Sequence, residues 1–321
     1  MMKQQLLVGA LVFGSLTTAF AQGRNCASMD ALHHQLSNDP YLHQRMEAIE
    51  HHTADYAQTP IQQRVNVTIP VVVHVLYNNA TQNISDAQIL SQIAVLNADF
   101  AGTNADASLL PAAFASARVG NTGIQFCMAK RTPTGAATTG IIRKAVTKTS
   151  FSADNDDAKA TSTGGDDTWA AGQYLNLWVV PSITSGGQGG ILGYAQFPGG
   201  AAATDGVVIG YQYFGNTGAV AAPYNKGRTA THEVGHWLNL RHIWGDANCG
   251  TDLVTDTPTS QTSNFGCPTY PHKTCSNTTS GDMFMNYMDY TDDACVCICL
   301  ATDRIRAYKP FLLRAAHALR C

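Results

Sequence analysis

Charge is scarce in this chain. Asp, Glu, Lys and Arg make up 13% of its 321 residues, and the formal net charge is -3. That weak negative balance offers no basic surface for a nucleic acid. Internal repeats are absent, and so is a phosphate-cradling glycine pattern; the glycines within Ser185-Gly186-Gly187-Gln188-Gly189-Gly190 read as a flexible loop. The apolar run from Leu6 to Leu16 is too short to cross a bilayer. The apolar fraction of 45% excludes a disordered chain, and the length suffices for one domain with a substantial core.

What the N-terminus does carry is an export pattern. Lys3 supplies a positive start, the apolar run follows, and Ala19-Phe20-Ala21 fits the small-residue cleavage rule. Residues 1–21 are therefore expected to be a signal peptide with Gln22 as the first residue left. No Cys stands directly after that point, which argues against a lipid anchor, so the product is expected outside the cell or in the periplasm, free of the membrane. In an oxidising compartment cysteines pair. The nine here are an odd number, and six of them (Cys249, Cys267, Cys275, Cys295, Cys297, Cys299) crowd one C-terminal stretch.

Residues 22–64 are polar, rich in His and Gln, with weak helical periodicity; they read as a pro-segment or linker. The texture changes at Ile69-Pro70-Val71-Val72-Val73-His74-Val75-Leu76-Tyr77, a β-branched run expected to be a buried strand, with His74 as a satisfied core residue. A helix follows: Ser85 caps it, Gln88 completes a capping box, Ile84 and Ile89 form a staple, and Ile89, Ile93, Leu96 and Phe100 share one face. Further strands are expected at Ile124 to Met128, Leu175 to Val180, Leu192 to Phe197 and Val207 to Ile209. The third of these is a candidate edge that could hold an extended peptide.

The chemistry is concentrated in Thr231-His232-Glu233-Val234-Gly235-His236-Trp237-Leu238-Asn239-Leu240-Arg241-His242. Residues four apart lie on one face of a helix, so His232 and His236 can bind one metal ion together. Glu233 sits where a carboxylate can take a proton from a zinc-bound water. His242 is out of helical phase, so the chain must turn sharply before it supplies a third ligand. Asn239, at that turn, is the residue after Gly that best tolerates positive φ. Downstream, Met285-Asn286-Tyr287-Met288-Asp289-Tyr290 places a methionine at a turn and a tyrosine two residues on.

These motifs, with Ile243-Trp244-Gly245-Asp246 and Asp252-Leu253-Val254-Thr255-Asp256-Thr257-Pro258, resemble the pappalysin family of metzincin zinc peptidases, in particular its ulilysin-like and cytophagalysin-like members. The resemblance runs from about Val67 to the C-terminus. It implies an α/β (α+β) fold: a twisted, mostly parallel sheet with a backing helix and an active-site helix up to about residue 242, then a loop-rich lower subdomain over 243–321, the two making one catalytic domain from 65. It implies Zn(2+) on His232, His236 and His242, Glu233 as general base, a structural Met288 beneath the metal and Tyr290 near it. Structural Ca(2+) is implied around Asp252, Thr255 and Thr257, and disulfides at Cys249–Cys275 and Cys267–Cys295. Cys26 resembles a cysteine switch that fills the fourth zinc position of a zymogen. Arg64 suits the processing site, and Asp292 or Asp293 suits a pocket for a basic residue after the scissile bond. Cys127, Cys297, Cys299 and Cys321 stay unassigned, because the Cys295-Val296-Cys297-Ile298-Cys299 run departs from the family pattern. The expected partners are protein or peptide substrates, acted on by a monomer. The competing readings are a peptide-binding zinc protein, a zinc hydrolase of another bond, and a calcium-stabilised surface or interaction protein with an incidental H-E-x-x-H; the intact Glu233 counts against the first, the Met-turn and edge strand against the second, and stoichiometric zinc would exclude the third.

Overall fold

A computed structural model of the chain describes residues 23–57, 66–118, 120–277, 279–298 and 321. The signal peptide, Gln22, Arg64 and Cys299 lie outside the described residues.

The N-terminal stretch read as polar and weakly periodic forms two helices, α1 (Ser28–Asn38) and α2 (Leu42–Ala57). The run around Val71 forms β1 (Val67–Tyr77), and the capped segment forms α3 (Asp86–Phe100). Next come β2 (Ile124–Met128), β3 (Ile141–Ala145) and the short β4 (Phe151–Ser152). Strands β5 (Leu175–Val180), β6 (Ile183–Ser185), β7 (Gln188–Ile191), β8 (Gly193–Ala195) and β9 (Val207–Gly210) then lead to α4 (Arg228–Trp237).

The main sheet has the order β2-β1-β5-β9-β8, with β3 also on β1. Strand β1 is long enough to serve β2 along its first half and β3 along its second, both in parallel, while β5 lies on its other side. Only β8, at the edge, runs antiparallel to its neighbour. Parallel strands buried on both faces read as near-continuous apolar runs, which is the pattern of β1 and β5. Val71, Val73, Val75, Leu177 and Val179 face α3 and α4 across the main core, together with Ile89, Ile93, Leu96 and Phe100 of α3. The opposite face carries Leu76, Trp178, Val180, Tyr194 and Val208. His74 is fully buried on that side, bonded to Asp166 and Asn176 and stacked on Trp178, as a core residue.

Three local expectations are corrected. The glycine-rich stretch over 185–190 is not a loop but the turn and second strand of a hairpin, with Ser185 opposite Gln188. Gly186 and Gly187 both take positive φ, as a two-residue turn that follows the strand twist requires, so the glycines organise the hairpin. The capping box is half made: Ser85 accepts from the Gln88 backbone N at 3.2 Å, but the Gln88 amide reaches away to the carbonyls of Tyr211 and Phe214. The edge strand over 192–197 is shorter than expected, spanning Gly193–Ala195. Among the described residues, the part after α4 is loops and turns, bound by Cys249–Cys275 and Cys267–Cys295, and Cys127 pairs with Cys321. Cys297 is buried and free.

Candidate active site

Helix α4 lies beneath the sheet edge, and every one of its side chains is buried. Its first turn is tied to α3 by Arg228, which meets Asp99 at 2.7 Å and Asp106 at 3.0 Å, and by Thr231, whose hydroxyl donates to Asp99 at 2.6 Å. Its last turn closes with paired bonds from Leu240 N to Gly235 O (2.9 Å) and from Asn239 N to His236 O (2.8 Å). This is the closure that needs a left-handed residue, and Asn239 takes φ of 73°. The chain is thereby turned back to bring His242 alongside His232 and His236.

The three imidazoles converge through their Nε2 atoms. His236 Nε2 lies 3.2 Å from His232 Nε2 and 3.1 Å from His242 Nε2. Nitrogens on a tetrahedral zinc with bonds of about 2.0 Å stand roughly 3.3 Å apart, so the spacing fits. Each opposite ring nitrogen donates to a fixed oxygen: His232 Nδ1 to Tyr287 O (2.7 Å), His236 Nδ1 to Leu240 O (2.8 Å) and His242 Nδ1 to Asp246 Oδ1 (2.5 Å). Those bonds select the tautomer that leaves Nε2 as a lone-pair donor. Burial, and then the neighbouring rings, holds His232 and His236 well below the usual histidine range, in the neutral form a metal needs.

Cys26 completes the group. Its sulfur and the three histidine nitrogens all lie within 4.8 Å of one another, a set able to hold a metal ion. Burial first, then the Glu233 carboxylate, pushes the Cys26 thiol well above its ordinary range, so a thiolate there requires a cation at the histidines. Glu233 is buried beside the cluster, and burial pushes its carboxyl up to about 7 against hydrogen bonds from Ser28 and Cys26. Its Oε2 accepts from the Ser28 hydroxyl at 2.8 Å and lies 3.4 Å from Cys26 Sγ. Gly193 of β8 faces it so closely that a Cβ would stand 2.9 Å from Glu233 Cγ, so only glycine fits. Met288 is buried under α4, and a Cβ on Gly235 would lie 2.4 Å from its sulfur. The Tyr290 ring stands 5.0 Å from His242 and 5.8 Å from His232, with its hydroxyl donating to Cys26 O at 3.4 Å. Burial, Cys26 and Glu233 hold that phenol protonated.

Residues 24–28 cross this cleft along the free side of β8. Leu192 N donates to Asn25 O (2.9 Å) and Ala27 N to Gly193 O (3.1 Å), a parallel pairing. Arg24 enters a buried pocket and pairs with Asp293 at 2.5 Å, the two side chains being 2% and 0% exposed. Its Nε donates to Thr291 O, and its guanidinium lies over Tyr224. The structure thus separates the two acidic candidates: Asp293 forms the pocket floor, while Asp292 is half-buried at its side. Asp252 is buried and lines a small cavity with Val254, Thr257 and Asn286; Thr255 is exposed and outside that lining. Burial pushes the Asp252 carboxyl up to about 6.

Sequence reasoning did not assign Arg24, Ser28 or Asp246 to the site. Only Asp246, four residues after His242, had a local signal.

Comparison with known proteins agrees with this architecture. The family model described as pregnancy-associated plasma protein-A, peptidase family M43, matches residues 159–307. An extracellular metalloprotease of Arthroderma gypseum is 32% identical over 294 residues, covering 88% of this chain and 82% of that protein. Tannerella forsythia mature mirolysin, in complex with a cleaved peptide, matches with a TM-score of 0.74 and 46% identity over 79% of this chain and 97% of that one. A mutant of the same organism's promirolysin matches with a TM-score of 0.81 and 43% identity over 91% and 97%.

Proposed function

The chain belongs to the pappalysin family of metalloproteases, and on that premise we propose that it is a secreted zinc endopeptidase made as a zymogen, with residues 22–64 as its pro-segment. The observation that carries this reading is the placement of residues 24–28: one chain segment puts Cys26 at the three histidines, Ser28 on Glu233 and Arg24 on Asp293.

Zinc held by His232, His236 and His242, with Cys26 in the latent form, supplies Lewis acidity when bound. The protein's own groups do the rest. With Cys26 and Ser28 withdrawn, the Glu233 carboxylate is free to take a proton from the attacking water and deliver it to the leaving amine. The Tyr290 phenol, kept protonated by its surroundings, would donate to the oxyanion. Strand β8 offers its free edge to an extended substrate. The Asp293 pocket, which takes the Arg24 guanidinium, is matched to Arg or Lys after the scissile bond. Maturation is assigned to cleavage near Arg64. Calcium is assigned to the Asp252–Thr257 loop, where a buried carboxylate and threonine oxygens suit a hard cation. Secretion fits both the N-terminal pattern and the extracellular relatives; no helix among the described residues is long and apolar enough to cross a membrane.

The test is a peptide-library digest read by mass spectrometry, with the mature protein and Glu233→Ala purified side by side. Cutting by wild type alone, with basic residues after the cut, is the expected result. A processed, zinc-loaded wild type that cuts nothing would overturn the assignment.

A further inference from the structure

Phe197, two residues beyond β8, is 1% exposed, yet the apolar side chains clustered with it all come from residues 23–57: Leu32 and Leu42, with Met29, Leu36 and Met46 around them. Its ring also meets the catalytic part of the chain, standing 5.1 Å from the His236 ring and 5.0 Å beneath the Arg241 guanidinium. Around this ring, the catalytic part meets α1 and α2 through single polar contacts. Asn239 Nδ2 donates to Glu50 Oε1 (3.1 Å), Gly199 O accepts from Arg45 (2.7 Å), and Gln196 Oε1 accepts from Gln35 (3.2 Å). An apolar floor rimmed by groups able to bond a passing chain is how a specificity pocket is built.

Its position along the cleft follows from the chain that crosses it. Arg24 lies two residues before Cys26 and occupies the Asp293 pocket; α1 begins two residues after Cys26 and leads directly onto Phe197. The two features therefore lie on opposite sides of the histidine cluster, along one path beside β8. We propose that once residues 23–57 leave, Phe197, rimmed by Arg241 and Asn239, is a second specificity subsite, which takes a leucine- or methionine-like side chain of the substrate on the N-terminal side of the scissile bond. The side assigned to it rests on the reading of the Asp293 pocket as the site for the residue after that bond. The chemistry of the occupant is read from what covers Phe197 now: four leucine and methionine side chains in the first 20 residues of the described chain, and Met46 from the next helix turn.

The test uses mature, zinc-loaded enzyme and a peptide library in which positions on both sides of the cut vary. Leucine or methionine is expected to be enriched at one position before the cut. A peptide pair differing there as Leu against Gly is expected to differ about tenfold or more in kcat/KM, the range a hydrophobic pocket supplies. In Phe197→Ala that ratio should collapse towards one; because it is a ratio, any general loss of rate through the neighbouring His236 cancels. Apolar selectivity missing from every position before the cut, or indifferent to Phe197→Ala, overturns the inference, and the wild-type library alone can do so if the variant fails to fold. Loss of arginine selectivity after the cut, with the Phe197-dependent preference intact, breaks the reading of the Asp293 pocket and leaves the subsite standing.

Discussion

Replacing Arg24 by Ala should loosen the zymogen without touching the catalytic groups. Arg24 and Asp293 are both almost fully buried, so solvent screening does not dilute their interaction. Breaking a buried pair by removing one partner costs about 3–5 kcal/mol, mostly because the other charge is left uncompensated. Here the loss is moderated. The second oxygen of Asp293 accepts from Lys226 N (2.7 Å) and Arg228 N (3.4 Å), so the acid stays anchored by the catalytic part itself, and water can enter the vacated pocket. The lost contacts to Thr291 O and to the Tyr224 ring add to the cost. A net weakening of roughly 2–3 kcal/mol corresponds to about 30- to 150-fold in the hold on the N-terminal segment. The assay is cleavage of a short fluorogenic peptide by unprocessed full-length protein, with melting temperature measured in a Glu233→Ala background so that self-cleavage does not intervene. Arg24→Ala should leak activity and melt lower, while Arg24→Lys should fall between, since a point charge keeps the ion pair but not the Thr291 contact. An Arg24→Ala zymogen as silent and as stable as wild type would refute the reasoning.

Cys26→Ala should lower the zinc affinity of the unprocessed chain to that of the three-histidine site; a chelator-competition titration showing equal affinity would remove Cys26 from the metal. Gly235→Ala should destabilise the protein by about 1–3 kcal/mol although alanine favours helices, because its Cβ would meet the Met288 sulfur at 2.4 Å; an unchanged or raised melting temperature would show that the Met-turn is loosely packed. At Asn239, with φ of 73°, Gly should fold as well as Asn but release α2 more readily through loss of the Glu50 bond, whereas Ala should cost about 1 kcal/mol; chemical denaturation and limited proteolysis of α2 separate the two effects. Burial pushes the Asp205 carboxyl up to about 6 against its bond from Trp237, so the folded state holds that proton more tightly than the unfolded one. Stability should therefore fall as pH rises from about 4 to 6 and then level off, by on the order of 3 kcal/mol, and Asp205→Asn should flatten that slope; a variant with the wild-type pH profile would contradict the assignment.

How much of this was legible in the sequence depended on the distance over which the physics acts. The histidine cluster was readable because its parts are local: two ligands four apart on a helix, a left-handed turn at Asn239, a third ligand three residues later. Strands β1 and β5 were readable because a strand buried on both faces has no room for polar alternation. Helices α1 and α2 were legible only as a weak helical period. Their apolar residues are few, and it is packing on Phe197, more than 150 residues away, that buries them. The Arg24–Asp293 pair spans 269 residues and the Ser28–Glu233 bond 205, so no local pattern announces either. The hairpin over β6 and β7 was missed for a different reason. Its turn glycines look like a flexible linker, and only the pairing of Ser185 with Gln188 turns their positive φ into register.

The spacing of the latent contacts has a simple geometric origin. Side chains on an extended chain alternate between two sides, which separates Arg24 and Cys26 from Asn25; Ala27 then leaves the extended conformation, and Ser28, the first residue of α1, reaches Glu233 from the start of the helix. The backbone of Asn25 and Ala27 supplies the ladder bonds to Leu192 and Gly193, which fixes the register. Once it is fixed, Arg24, Cys26 and Ser28 meet three different groups: Asp293, the histidine cluster and the Glu233 carboxylate. Ser28 also accepts from Ala195 N at 2.8 Å, so the same hydroxyl that blocks Glu233 ends the ladder and starts α1. A thiol alone would block a metal but leave Glu233 and the pocket open to solvent. On the proposed reading, residues 24–28 together cover the histidine cluster, Glu233 and the Asp293 pocket, and opening the short ladder to β8 would release all three.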